Sequence, residues 1–187
     1  MRTLNNVNLK TVQDYIDQMN SDPSTAHRTQ VIEGEWLINE GGPQFQGTLN
    51  YEGGKTTFQV DNPTFMGGNG KWAGPMHYCF FGLASCYTGI FATMAEMLGV
   101  KLKKLSARVE ADVNFFPVFG LKEGTIMEEV RVKLTVESDE PEEKIREAEK
   151  LAIQRCPVIY TLKNPVKFTP MLEVTRDFAG AKKEVVH

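Results

Sequence analysis

Read as a string of apolar and polar positions, the chain changes period several times. Residues 8–20 (NLKTVQDYIDQMN) place Val12, Tyr15, Ile16 and Met19 at the helical spacing i, i+3, i+4, i+7. Asn8 can cap this helix and Asp22-Pro23 stops it. Three runs at strand period follow, 29–39, 44–52 and 55–63, separated by Gly41-Gly42-Pro43 and Gly53-Gly54. Glycine pairs between such runs predict tight hairpins, and so an antiparallel meander. Residues 101–116 alternate through Val109, Ala111 and Val113, and residues 126–138 alternate Val130, Val132, Leu134 and Val136 with Arg131, Lys133 and Thr135. Each reads as a strand with one buried and one wet face. A helix comes next, with Ser138 or Asp139 as cap, Pro141 in the first turn and Glu140, Glu142 and Glu143 at its positive end. Its inward stripe is Ile145, Ala148, Ala152 and Ile153. It ends at Arg155-Cys156-Pro157, because a proline disfavours helix in the residue before it, and Pro157 starts a short turn through Leu162. Residues 166–176 read as a last strand and 180–187 (GAKKEVVH) as a loose tail.

One stretch obeys neither period. After the glycine-rich loop from Gly67, residues 75–98 contain no Lys or Arg, one carboxylate (Glu96) and one imidazole (His77), and Gly99 closes them. As a helix this stretch is roughly 35 Å long at about 1.5 Å per residue. A helix apolar all round is buried on every side or spans a membrane. Its glycine and alanine content, with no basic asymmetry at its flanks, favours burial. A chain of this size can hardly wrap such a helix by itself, so a second subunit is expected to help. Helices interspersed among antiparallel strand groups point to an α+β fold.

Composition narrows the picture. With 187 residues the chain suits one domain plus an arm, the arm spanning 1–26. A formal net charge of -3 gives no reason to expect a nucleic-acid partner, and MRTLNNVNLK lacks the apolar run of a secretory leader, so a cytoplasmic location is expected. Three cysteines argue against a disulfide framework. Cys79 and Cys86 are seven apart and no C-x-x-C occurs, so no metal site is expected. Cys79 is expected to pack in the core. The aromatic residues Trp72, Tyr78, Phe80, Phe81, Tyr87 and Phe91 fit either core or the lining of an apolar pocket.

The chemistry candidates are Cys86, in the middle of the long helix, and Cys156, in the break before Pro157. Together with the glycine pair at 41–42, DNPTFMGG (61–68), LASCY (83–87), RCPV (155–158) and LKNPV (162–166), they resemble the OsmC/Ohr family of thiol-dependent peroxide reductases. The resemblance is to a longer subgroup with an N-terminal helical arm, and residues 27–187 then form the OsmC-like domain. It implies antiparallel sheets wrapped around paired central helices in an intertwined homodimer. It implies that Cys86 attacks the peroxide and becomes a sulfenic acid, and that Cys156 resolves it as a disulfide. No bound cofactor is implied; an external dithiol, such as a dihydrolipoyl group, returns the disulfide to thiols. In the family an arginine of the first hairpin, held by a glutamate near the helix start, stabilises the thiolate. Here Pro43 and Met76 stand at those places. His77 and Arg155 are the candidate activating groups, with Arg28 and Arg108 as further cations. The alternative is a non-catalytic relative that binds a small hydrophobic ligand or acts as a stress-linked thiol switch.

Overall fold

Asn8 accepts a hydrogen bond from the Thr11 amide and so starts the first helix, α1 (Leu9–Ser21), whose stripe Val12, Tyr15, Ile16 and Met19 is half-buried. Asp22 ends it and caps a 3-10 turn, Pro23–Ala26. The computed structural model describes residues 3–175. Asn5 ties the arm to the body, its side-chain amide pairing with the Val100 carbonyl and the Leu102 amide at 2.8 Å each.

The meander forms: β1 (Glu33–Trp36), β2 (Phe45–Tyr51) and β3 (Gly54–Val60) make one antiparallel sheet in that order, with the expected tight turn between β2 and β3 but a longer connection, residues 37–44, around Gly41-Gly42. The first strand is shorter than 29–39, because only residues 33–36 find ladder partners, from Glu33↔Thr48 to Trp36↔Phe45. A second antiparallel pair joins β4 (Leu102–Val113) to β5 (Met127–Ser138). Their alternation holds, with Val132, Leu134 and Val136 turned to the core and Arg131 on the outer face among Glu110, Asp112 and Glu129. The strand expected to run to 116 stops at Val113, where Asn114 accepts from the Phe116 amide and opens a helical turn, α3 (Phe115–Val118).

The long apolar stretch is a single helix, α2 (Pro75–Met97), ended by Gly99 at φ 69°. Within one chain it is buried along one stripe, Leu83, Tyr87, Phe91 and Met94, while Phe81, Ser85 and Gly89 on another side are exposed. By length and composition α2 could cross a membrane; here its buried stripe faces protein. α4 (Glu142–Arg155) packs Ala148 and Ala152 against its C-terminal half, small side chains that allow close approach. The core lies there, from Tyr87, Phe91, Met94 and Val100 to Cys156.

Two expectations are corrected. Residues 166–175 form no strand: they are irregular and exposed, with Phe168 85% and Met171 93% accessible, because a strand needs a ladder partner and none pairs with them among the described residues. Residue 176 and the tail 180–187 lie outside the described residues. Cys79 is exposed rather than packed, although it lies on nearly the same face of α2 as Cys86. Seven residues put the two on one line, but buried positions on α2 begin only at Leu83.

Candidate functional site

Cys86 and Cys156 are brought together by one local rule. Pro157 lacks an amide hydrogen and holds Cys156 extended, at φ -76° and ψ 117°. The Cys156 amide still donates to Ala152 to finish α4, and its carbonyl accepts from Tyr160 to begin α5 (Pro157–Lys163). The side chain at this corner is fully buried against α2, where the Cys156 thiol donates to the Cys86 sulfur at 3.3 Å. Cys86 itself is half-buried and also accepts from the Val158 backbone amide, in the first turn of α5.

The electrostatics oppose an easy thiolate. Burial, and to a smaller degree Cys156, push the Cys86 thiol above the ordinary thiol value, while the Val158 amide pulls the other way. No cation is among the groups that shift it. The Arg155 guanidinium donates to the Met94 sulfur at 3.2 Å. Arg28 lies over the Tyr15 ring and donates to its hydroxyl, and Arg108 pairs with Glu110. His77 accepts the Gly74 amide through Nδ1 at 3.1 Å, so it closes the start of α2. That is nine residues before Cys86, about 13 Å along the axis. Tyr87 is buried next to Cys156 in the core, and burial, then Glu149, push its hydroxyl up to about 12.

The preceding turns of α2 face a different space. Tyr78, Phe81, Gly82 and Ser85, at helical spacing, form one wall of an apolar groove of about 610 Å³; Ile32, Trp36, Phe45, Leu49, Phe58 and Val60 of the meander form the other. Of the aromatics, Tyr87 and Phe91 are core, and Tyr78 and Phe81 line this groove. Tyr78 anchors it by donating to the Gln59 carbonyl and meeting Phe58 edge to face.

Sequence reasoning assigned no role to two residues that shape this region. Asp61 is 1% exposed, and its carboxylate accepts the amides of Asn69 and Lys71, folding the glycine loop back before α2. Gly68 makes this possible, since a Cβ there would stand 1.9 Å from the Asn62 carbonyl oxygen. Gln44, beside Pro43, accepts the Asn62 amide and donates to the Gly67 carbonyl, so it fastens the sheet to the same loop. The D-x-P ahead of a glycine run was the legible signal for Asp61; Gln44 carried none.

A crystal structure described as an OsmC-like protein from Mycoplasma pneumoniae is similar at 22% identity, with a TM-score of 0.55, covering 74% of this chain and 89% of the other. A putative osmotic stress induced and detoxification response protein from Psychrobacter arcticus is 16% identical, with a TM-score of 0.53 over 72% and 89% of the two chains. A Legionella pneumophila structure described as an organic hydroperoxide resistance protein OsmC is 15% identical, with a TM-score of 0.50 over 73% and 90%. At these identities the likeness is one of fold. No curated protein matches the sequence. The profile described as OsmC-like protein matches residues 68–171, which takes in α2, both cysteines and the β4–β5 pair. More than half of the chain thus falls within that profile, and the chain belongs to the OsmC-like family.

Proposed function

We propose that this chain is a dithiol redox protein that reduces organic hydroperoxides, with Cys86 as the attacking sulfur and Cys156 as the resolving one. One observation carries the reading: the two sulfurs are 3.3 Å apart, with the Val158 amide donating to Cys86. The Val158 amide favours a Cys86 thiolate, while burial and the neighbouring Cys156 oppose it, so the reading rests on the closeness of the two sulfurs. The Cys86 thiolate attacks the outer peroxide oxygen, the O–O bond breaks, and the alkoxide leaves with a proton as alcohol. The sulfenic acid on Cys86 then condenses with Cys156: the S–S bond forms and the sulfenic oxygen leaves as water. The sulfurs must close from 3.3 Å to about 2.05 Å, a side-chain movement. An external dithiol, of lipoyl type by family resemblance, returns the pair to thiols. The oxidant class follows from that resemblance and from the apolar surroundings of Cys86. The expected setting is the cytoplasm, where the pair would be kept reduced.

Neither His77 nor Arg155 lies among the groups acting on Cys86, and Pro43 and Met76 supply no charge, so the thiol is unactivated at neutral pH. A raised thiol means that the thiolate fraction, and with it the rate, is small below the ordinary thiol range and grows as pH rises through and beyond it. Stopped-flow mixing with cumene hydroperoxide from pH 5 to 9 is expected to give a slow reaction still rising at the alkaline end. Peptide mapping of the product is expected to find Cys86 linked to Cys156. A fast rate flat down to pH 6 would overturn the unactivated thiol; a Cys79–Cys86 product would remove Cys156 from the resolving role.

The groove of about 610 Å³ favours a second reading, a binding protein for a small hydrophobic ligand. Saturable binding of an apolar fluorophore, with no disulfide formed by peroxide, is the outcome that would select it.

A further inference from the structure

The reduced cysteine pair has a second chemical use that needs no peroxide. Two thiols at fixed separation are a bidentate soft ligand, and the separation selects what they can hold. With bonds of about 2.3 Å from sulfur to the bound atom, a bite of 3.3 Å closes an angle of roughly 90° there. That angle is too narrow for tetrahedral zinc and far from the straight line preferred by a two-coordinate ion. It is the angle of a pyramidal trivalent centre with a lone pair, such as arsenic. The supply of ligands agrees. Among the described residues no group of three His, Cys, Asp or Glu is placed to hold a metal ion, so the pair has no third protein ligand to offer. A centre that brings its own third substituent is the match.

We propose that Cys86 and Cys156 form a chelating site for monosubstituted trivalent arsenicals. Phenylarsine oxide is the probe. Two As–S bonds form, the As=O bond breaks, and the oxygen leaves as water carrying both thiol protons. Arsenic stays trivalent and neither sulfur is oxidised, so no oxidant or reductant is required. Cys156 is buried and Cys86 half-exposed, so the reagent enters, and the phenyl group leaves the site, on the Cys86 side. The Val158 amide keeps an acceptor, since a bound sulfur retains lone pairs. The site rests on the geometry of the pair and stands whether or not Cys86 reduces hydroperoxides.

The test uses the reduced full chain with phenylarsine oxide, read by intact mass and by alkylation. One phenylarsenic per chain is expected, with Cys86 and Cys156 protected from iodoacetamide and Cys79 still alkylated. Release is expected with a small dithiol but not with an equal concentration of monothiol. Chelation by two tethered thiols should hold the probe about a hundredfold or more tighter than one thiol does, so Cys86→Ser and Cys156→Ser should each lose it while Cys79→Ser retains it. Protection of Cys79 in place of Cys156, or release by monothiol as readily from the wild type as from Cys156→Ser, would overturn the proposal. The alkylation map needs only the wild type, so it decides the matter even if a variant folds poorly. Failure of the peroxide reaction alongside retained arsenical binding would sink the proposed function and leave this site standing.

Discussion

Asp61 shows how one buried side chain can prepare a site it does not enter. Its buried carboxylate accepts two loop amides, so Asp61→Ala removes the charged acceptor of both the Asn69 and the Lys71 amide. A hydrogen bond to a charged group is worth about 1.5–3 kcal/mol, so a loss of about 3 kcal/mol is expected in urea unfolding. Gly68→Ala should be of similar severity for a different reason, collision with the Asn62 carbonyl. An unfolding midpoint unchanged in both variants would remove the loop from this account. Tyr87 makes a pH-dependent contribution. Burial holds its hydroxyl protonated up to about 12, above the ordinary tyrosine value of about 10. The sign follows: its contribution is complete below about 10, where folded and unfolded chains both keep the proton, and is lost as pH rises toward 12. The wild type should therefore lose stability relative to Tyr87→Phe between those values. Parallel pH curves for the two proteins would contradict it.

At the scale of the element, α2 divides by what covers it. Its C-terminal half lies under α4 and the β4–β5 pair, and its other side carries Phe81, Ser85 and Gly89 into the open. Gly89 makes a clean probe because a Cβ added there meets nothing within 4 Å in one chain. Aspartate is also a somewhat better helix former than glycine, so Gly89→Asp should be harmless to an isolated subunit. If a second copy covers this face, as we propose, the same change buries an unpaired carboxylate at a cost of several kcal/mol. Sedimentation at micromolar concentration is expected to show a dimer for the wild type and a monomer, or insoluble protein, for Gly89→Asp. A stable wild-type monomer would refute the interface. Ile90→Asp would not discriminate, since Ile90 packs on the subunit's own core.

Across the whole molecule, the described chain leaves two antiparallel sheets separate, and the side chains of Val166, Phe168, Met171, Leu172 and Val174 uncovered. These features motivate the homodimer proposed above, since exposed apolar area of this extent marks an interaction surface. They also divide what was written in the sequence from what was not. Local rules act over a few residues, and these were legible: the Asn8 cap, the tight turn at Gly53-Gly54, the alternation of Val130, Val132, Leu134 and Val136, the unbroken helix from Pro75, and the break that Pro157 imposes at Cys156. The family could be read as well, because its marks are short runs of residues. What no local rule contains is which surfaces meet. The missing ladder after Val166, the exposure of Cys79 beside a covered Cys86, and the groove between the meander and α2 all depend on partners distant in the chain. The same holds for the chemistry. The sequence supplied two cysteines seventy positions apart and a list of cations; packing set the sulfurs at 3.3 Å, aimed the Val158 amide at one of them, and turned Arg155 to Met94. A pKa is set by burial and by charges within a few ångströms, and those distances exist only once the chain is folded.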